Sequence, residues 1–237
     1  MKGQEITWDK FKEIFISSAS NTDNDGETML FRGQGNSDDP LQTTLSRYTQ
    51  NSGKWCSNRY HEKMISIVKE EPKLSSIANQ IPENFIFRSS FMYPPIEDYD
   101  AQAYATFFAM IYLRHHGIPS PLLDWTRNPL VAAFFALQDV TQNHDAAIFV
   151  LKNTGKSKSC IKPTSPQLFV IDHNNYINTK LKEFPEGELL LSRHHAQKGA
   201  YTVCFSNQND LSKITYEMMS HDQYFSCPDS EGTSCHT

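Results

Sequence analysis

The chain has 237 residues, of which 38% are hydrophobic, so it is long enough to bury a sizeable core within one domain. Its formal net charge of -5 argues against a broadly basic surface that coats nucleic acid. It contains no apolar run of about 18 residues, and its N-terminus lacks the succession of charged, apolar and small residues found in signal peptides. This predicts a cytoplasmic protein without a membrane partner. The five cysteines are scattered without a CxxC pair, which predicts free thiols and no zinc site.

Hydrophobic spacing predicts the elements of the N-terminal part. Residues 8–18 are expected to form an amphipathic helix with Thr7 as its N-cap. The short apolar run 29–31 predicts a strand that opens into a glycine-containing loop, so Arg32 is expected at the strand end. Residues 36–58, rich in Ser, Thr and Asn, are expected to be irregular.

The central part predicts three helices. They are expected around 60–69, over 101–112 with a stop at Gly117, and from 129 to about 138 with Asn128 as N-cap. Strands are predicted over 122–126, 146–151, 168–171, 189–191 and 201–205. Residues 72–100 have no clear periodicity. We predict a single domain over residues 1–226 and a disordered tail over 227–237.

Polar side chains are concentrated between two apolar helices, at His115, Asp124, Trp125 and Thr126. His115 ends a helix, where it is either a simple cap or a functional imidazole. Asp124 would orient a base, pair with Arg32, position a ribose hydroxyl or cap the following helix. Trp125 would stack on a planar ligand or belong to the core. This strand-to-helix corner is therefore the first candidate site.

Arg32 is the second candidate. It lies beside Gly33 and Gly35, and its guanidinium would bind a phosphate or carboxylate of a ligand. The alternative is a structural pair with Asp38 or Asp124. Two histidine pairs, 115–116 and 194–195, make a metal site conceivable, but no carboxylate stands at ligand spacing beside them, and we predict no metal.

Three separated pieces of the chain resemble one protein family. They are FRGQ at residues 31–34 followed by PLQTTLSR at 40–47, then LRHHGIPSPLLDWTRNPLVAAFFA at 113–136, then AQKGAYT at 196–202. Their residues and order resemble the FRG domain family, named after its Phe-Arg-Gly signature. The family's usual run is close to QHxGxPTRLLDWT, so His115 matches, whereas Arg114, Ser120 and Pro121 depart from it. The arginine missing at position 121 removes one ligand contact that the resemblance would imply.

The order of the candidate residues is also similar to that in ADP-ribosyltransferase-like folds. Those folds hold NAD with an Arg or His on the first strand, place a Ser or Thr at the end of the next, and carry a Glu or Gln on a late strand. Arg32, Thr126 and Gln197 occur in that order. The likeness implies an α+β fold in a single domain, with a split β-sheet core flanked by helices.

The same likeness implies roles for individual residues. NAD, as substrate, would be bound by Arg32, Gly33, Gln34, Trp125 and Tyr201, and the catalytic residues would be Gln197, Thr126, Asp124 and His115. ADP-ribose would pass to a nucleic acid or protein without a metal, an activity that suits a toxin or defence effector. Because Gln197 is neutral where an acid is expected, the alternative is a non-catalytic module that binds a nucleotide or phosphate. The oligomeric state is left open.

Overall fold

The computed structural model describes residues 4–16, 28–52, 57–74, 78–79, 97–138, 144–153, 158–159, 166–171, 194, 196–206 and 221. The predicted strand at 189–191, most of 72–96 and the predicted tail 227–237 lie outside the described residues. None of the helices within the described ranges combines the length and apolar character needed to cross a bilayer.

The described strands form one six-stranded sheet in the order β3-β1-β2-β6-β5-β4. The strands are β1 (Thr28–Gln34), β2 (Leu123–Thr126), β3 (Ala147–Asn153), β4 (Lys158–Ser159), β5 (Pro166–Ile171) and β6 (Gly199–Ser206). All five neighbouring pairs are antiparallel. With the helices described next, this sheet confirms the predicted α+β class, and the strands predicted at 122–126, 146–151, 168–171 and 201–205 are confirmed within a few residues.

Five α-helices accompany the sheet in the described residues: α1 (Trp8–Phe11), α2 (Thr44–Ser52), α3 (Ser57–Glu70), α4 (Glu97–His115) and α5 (Pro129–Gln138). Thr7 caps α1 by accepting a hydrogen bond from the Lys10 backbone, as predicted, and the helix continues as a π-helical segment, Lys12–Ile16. Gly117 ends α4 with a φ of 83°, a left-handed conformation that glycine adopts without strain. Asn128 caps α5 by accepting from the Leu130 backbone, also as predicted.

The sheet has two faces with different coverings. The face we call the helix face carries Phe31, packed with Ala132 of α5, and Tyr201, packed with α4. The opposite face, which we call the tryptophan face, carries Trp125 in a second apolar cluster with Leu30 and Phe149 of β1 and β3. Since side chains alternate along a strand, Asp124 and Thr126 lie on the helix face, and Arg32 lies on the tryptophan face.

Two predictions about the N-terminal part are wrong. Arg32 is not at a strand end, because β1 continues to Gln34 and pairs with β3 over its whole length. Gly33 permits this, since it lets the α5 backbone pack directly against β1. The region 36–58 is not irregular throughout: it contains α2, where the Thr43 hydroxyl caps the Ser46 backbone N–H and Leu45 is fully buried. Tertiary burial therefore stabilises a helix whose composition did not predict one.

Replacing Gly33 by alanine is expected to destabilise the protein by about 3 kcal/mol, because the new Cβ has to push helix and sheet apart. A Cβ at this position would lie 1.8 Å from the carbonyl oxygen of Ala132. Gly117→Ala is the matched control: its Cβ meets nothing within 4 Å, so only the left-handed backbone is penalised, by about 1 kcal/mol. Urea unfolding measures both. Equal losses in the two variants would contradict close packing of α5 on β1.

Candidate functional site

The carboxylate of Asp124, on β2, forms a bidentate ion pair with Arg114 at the end of α4. Nε of Arg114 donates to Oδ1 at 2.5 Å and Nη2 donates to Oδ2. The remaining nitrogen, Nη1, donates to the Thr44 hydroxyl of α2 at 3.0 Å, and that oxygen also accepts the Ser120 backbone N–H at 2.9 Å. All three guanidinium nitrogens are therefore occupied, and α4, β2 and α2 are joined at one point.

Asp124 stays ionised in this setting. Partial burial by itself would raise the pKa of Asp124, but the charge and hydrogen bonds of Arg114, followed by the charge of Arg32, hold it below its ordinary value. Burial would likewise lower the pKa of Arg114, and the charge of Asp124 raises it instead. The Asp124 side chain keeps 44% of its surface exposed, against 12% for Arg114. The pair thus presents a carboxylate to solvent and keeps its cation inside.

Arg32 reaches the same point from β1. Strands β1 and β2 share one register pair, Phe31 with Thr126. Next to this pair, Nη1 of Arg32 donates to the Asp124 carbonyl at 3.0 Å. Nε of Arg32 is buried without a hydrogen-bond partner. Burial first, then the neighbouring charges of Arg114 and Arg47, lower the pKa of Arg32 to about 10, against an opposing effect of Asp124. The guanidinium is charged at neutral pH and has an unused donor.

Thr126 and Gln197 meet at the opposite end of β2. The Thr126 hydroxyl donates to the Gln197 carbonyl at 2.6 Å and accepts the Asn128 backbone N–H at 3.0 Å. Arg127 donates from its backbone to the Lys198 carbonyl at 3.1 Å, and Lys198 itself has a left-handed φ of 48°. The turn that leads into β6 is therefore held by the end of β2, and the Gln197 side chain stands half-buried beside it.

His115 belongs to a chain of hydrogen bonds on the helix face. The Tyr201 hydroxyl lies 3.3 Å from Nε2 of His115 and 3.1 Å from Nδ1 of His194. A hydroxyl has one proton, so one imidazole accepts it and the other donates to the oxygen. Tyr201 and His194 are buried, whereas His115 is half-buried next to the Asp124 carboxylate. His115 is thus the member of the chain that reaches the surface.

A second polar chain crosses the tryptophan face. Nε1 of Trp125 donates to the Thr202 hydroxyl at 2.8 Å, and that oxygen lies 2.8 Å from Nε2 of His221. The Thr202 oxygen has two acceptor lone pairs and one proton, so it accepts from the indole and pairs with Nε2 of His221 either as donor or as acceptor. Nδ1 of His221 is buried and unpartnered. Burial first, then the charge of Arg32, lower the pKa of His221 to about 3.

Three predicted ligand contacts have other neighbours in the structure. Trp125 is 3% exposed within the core, so it has almost no free ring surface. Gly33 faces the α5 backbone, and the Gln34 amide donates to the backbone carbonyls of Asn36 and Asp39. Their predicted roles in NAD binding stay predictions.

Several residues of this region were not among the predicted site residues. Arg114 was noted only as a departure from the family pattern, although a charged residue ending an apolar helix was a usable signal. Arg47 and Thr202 lie in segments that resemble the family, and His221 carried no local signal, because each acquires its neighbours from distant segments. The described residues contain no group of three or more His, Cys, Asp or Glu side chains arranged to hold a metal ion.

The Arg114–Asp124 pair is expected to couple strongly in a double-mutant cycle. With Arg114→Gln and Asp124→Asn measured singly and together, we expect a coupling of about 2 kcal/mol in the free energy of unfolding, because one partner is buried and the contact is bidentate. The exposed pair Lys10–Glu13, with N···O 2.9 Å, is the matched control, where about 0.3 kcal/mol is expected. Similar coupling in both pairs would contradict the anchoring role of Asp124.

His221 predicts a pH dependence of stability. The pKa of His221 in the folded chain is about 3, below the ordinary value of 6.5, so between these pH values the unfolded chain binds a proton on His221 and the folded chain does not. The stabilisation that this difference gives to the folded state is fully present above pH 6.5 and is lost as the pH falls toward 3. Between about pH 7 and about pH 5 this removes about 2 kcal/mol. Urea unfolding at several pH values measures this. In His221→Gln the free energy of unfolding should fall less steeply between about pH 7 and about pH 5 than in the wild type, and an unchanged pH dependence would refute the assignment.

Comparison with known proteins identifies the family. No curated protein and no solved structure matches the chain significantly. The FRG domain family model matches residues 27–145, which is half of the chain and includes Arg32, the Arg114–Asp124 pair and α5. The chain therefore belongs to the FRG domain family.

Proposed function

We propose that the chain binds NAD, splits it, and transfers ADP-ribose to a nucleic acid or a protein. The observation that carries this proposal is that three predicted positions, Arg32, Thr126 and Gln197, lie on or just before the neighbouring strands β1, β2 and β6. Arg32 of β1 contacts the Asp124 backbone of β2, and Thr126 of β2 contacts the Gln197 backbone just before β6. These positions are distant in the sequence. Their proximity is what one dinucleotide-sized site requires.

The binding half of the proposal rests on Arg32. Its buried Nε–H has no acceptor, and its positive charge lies where β1 and β2 separate. A phosphate oxygen is a suitable acceptor for such a donor, because a charge-assisted hydrogen bond stabilises both partners. Arg32 would therefore bind the pyrophosphate of NAD.

The chemical half rests on the helix-face residues. Breaking the bond between ribose C1 and the nicotinamide nitrogen sends the electron pair out with nicotinamide and builds positive charge on the ribose. Asp124 is ionised and half-exposed, so it would stabilise that charge, whereas Gln197 is neutral and would orient a ribose hydroxyl. The acceptor nucleophile then bonds to C1, and His115 would take its proton. Thr126, whose hydroxyl holds Gln197, acts as a positioning residue.

The proposal is tested by incubating the purified protein with NAD labelled in its adenylate phosphate, with DNA, RNA or protein present. We expect nicotinamide release and transfer of label to one polymer class. Arg32→Gln should lower kcat/KM by about a hundredfold through the loss of one charged contact, and Asp124→Asn should lower kcat more than it raises KM. Lys12→Gln, an exposed change of equal charge on the N-terminal π-helix, is the control and should leave both unchanged.

Each alternative outcome has a definite meaning. Release of nicotinamide without label transfer would replace the transferase by an NAD hydrolase. NAD binding without release would contradict the enzymatic proposal and leave a nucleotide-binding module. Full activity in Arg32→Gln would contradict the assigned site itself.

A further inference from the structure

A buried tyrosine hydroxyl joins two imidazoles on the helix face. The Tyr201 side chain is 2% exposed, and its oxygen lies 3.3 Å from Nε2 of His115 and 3.1 Å from Nδ1 of His194. His194 is 5% exposed, whereas His115 is half-buried beside the ionised Asp124. The chain of hydrogen bonds therefore leads from a histidine that reaches the surface to a histidine inside the protein.

The position of His194 depends on a glycine of β6. A Cβ on Gly199 would lie 2.7 Å from Nδ1 of His194 and 3.3 Å from its Cε1, so the ring rests directly against the strand backbone. The ring also stacks on Tyr201, two residues further along the same face of β6, with centroids 5.6 Å apart and an interplanar angle of 16°. In the register of β6 with β2, Tyr201 lies opposite Asp124. His194 is therefore packed onto the strand pair that carries the candidate site.

The hydroxyl proton of Tyr201 couples the two histidines. A protonated imidazole carries a proton on both nitrogens and is only a donor, so a protonated His115 donates from Nε2 to the Tyr201 oxygen. The single proton of Tyr201 then points away from His115 and toward Nδ1 of His194, which accepts it when that ring is neutral. Burial of His194 favours the neutral ring. Protonation of His115 is therefore favoured by an acceptor at position 194.

We propose that His194 is a positioning residue, which accepts the Tyr201 proton at Nδ1 and thereby strengthens His115 as a base. This inference rests on the proposed function, in which His115 takes the proton of the acceptor nucleophile. That proton stays on His115, and Tyr201 keeps its own proton, so the step is balanced without a further group. The charged groups beside His115 include Asp124 on β2 and Arg114 on α4, and a change at position 194 leaves both in place.

The first test needs no NAD. The protonation of His115 is followed by NMR titration of the full chain, and its signal is identified by its loss in His115→Gln. In His194→Leu the acceptor at Nδ1 is gone, so we expect His115 to bind its proton about fivefold to tenfold more weakly and to titrate at lower pH. His194→Asn, whose side-chain oxygen is also an acceptor, should restore most of the proton affinity. His144→Leu, at an exposed histidine before β3, is the matched control and should leave the titration of His115 unchanged.

The second test uses the proposed reaction. In His194→Leu the low-pH limb of kcat/KM for ADP-ribose transfer should move to lower pH together with the titration of His115, and the plateau should fall because a weaker base takes the proton less readily. His194→Asn should return both toward the wild type. A loss of activity without any movement of the pH profile would indicate a merely structural role for His194 and contradict the proposal.

Tyr201→Phe keeps the proposal testable if His194→Leu does not fold. It removes the oxygen between the two rings, so protonated His115 loses a charge-assisted hydrogen bond and should also titrate at lower pH. An unchanged titration of His115 in whichever of the two variants folds would overturn the proposal. A shifted titration in a protein that does not turn over NAD would support the coupling of the two histidines and contradict only the proposed enzyme, so the two failures are distinguishable.

Discussion

The bidentate ion pair between Arg114 and Asp124 is the contact on which the arrangement of this region depends. It joins the end of α4, the longest of the described helices, to strand β2, and through Thr44 it also fixes α2. A cation that is 12% exposed would be costly without a partner, so the pair forces β2 and α4 into one relative position. The hydrogen bond from Arg32 to the Asp124 carbonyl adds β1 to the same junction.

The sheet divides the candidate site into two halves with different chemistry. On the helix face, the ionised Asp124 stands near His115 and its hydrogen-bonded partner Tyr201, which suits proton transfer and stabilisation of positive charge. On the tryptophan face, the buried Nε–H donor of Arg32 has no acceptor. Arg32 links the halves because its guanidinium reaches the Asp124 backbone where β1 and β2 separate. A ligand with an anionic part and a reactive part would use both.

Much of the fold could be predicted because its signals are local. Thr7 and Asn128 are side chains that cap the helices they precede, and Gly117 ends α4 through its own backbone freedom. The apolar runs on both sides of Asp124 likewise predicted a buried helix and strand. The site was found in part for the same reason, since His115, Asp124 and Thr126 share one short segment whose polar residues interrupt apolar elements.

The sequence by itself determined the class of fold, the principal helices and strands, the family, and the segment that carries the site. Tertiary structure alone decided that Arg32 lies inside β1, because the closeness of α5 to Gly33 is a contact between distant segments. It also decided that Arg114 pairs with Asp124 and that Trp125 is core. Periodicity and capping report only on neighbours in the chain, whereas charge pairing and burial depend on which distant segments the packed sheet brings together.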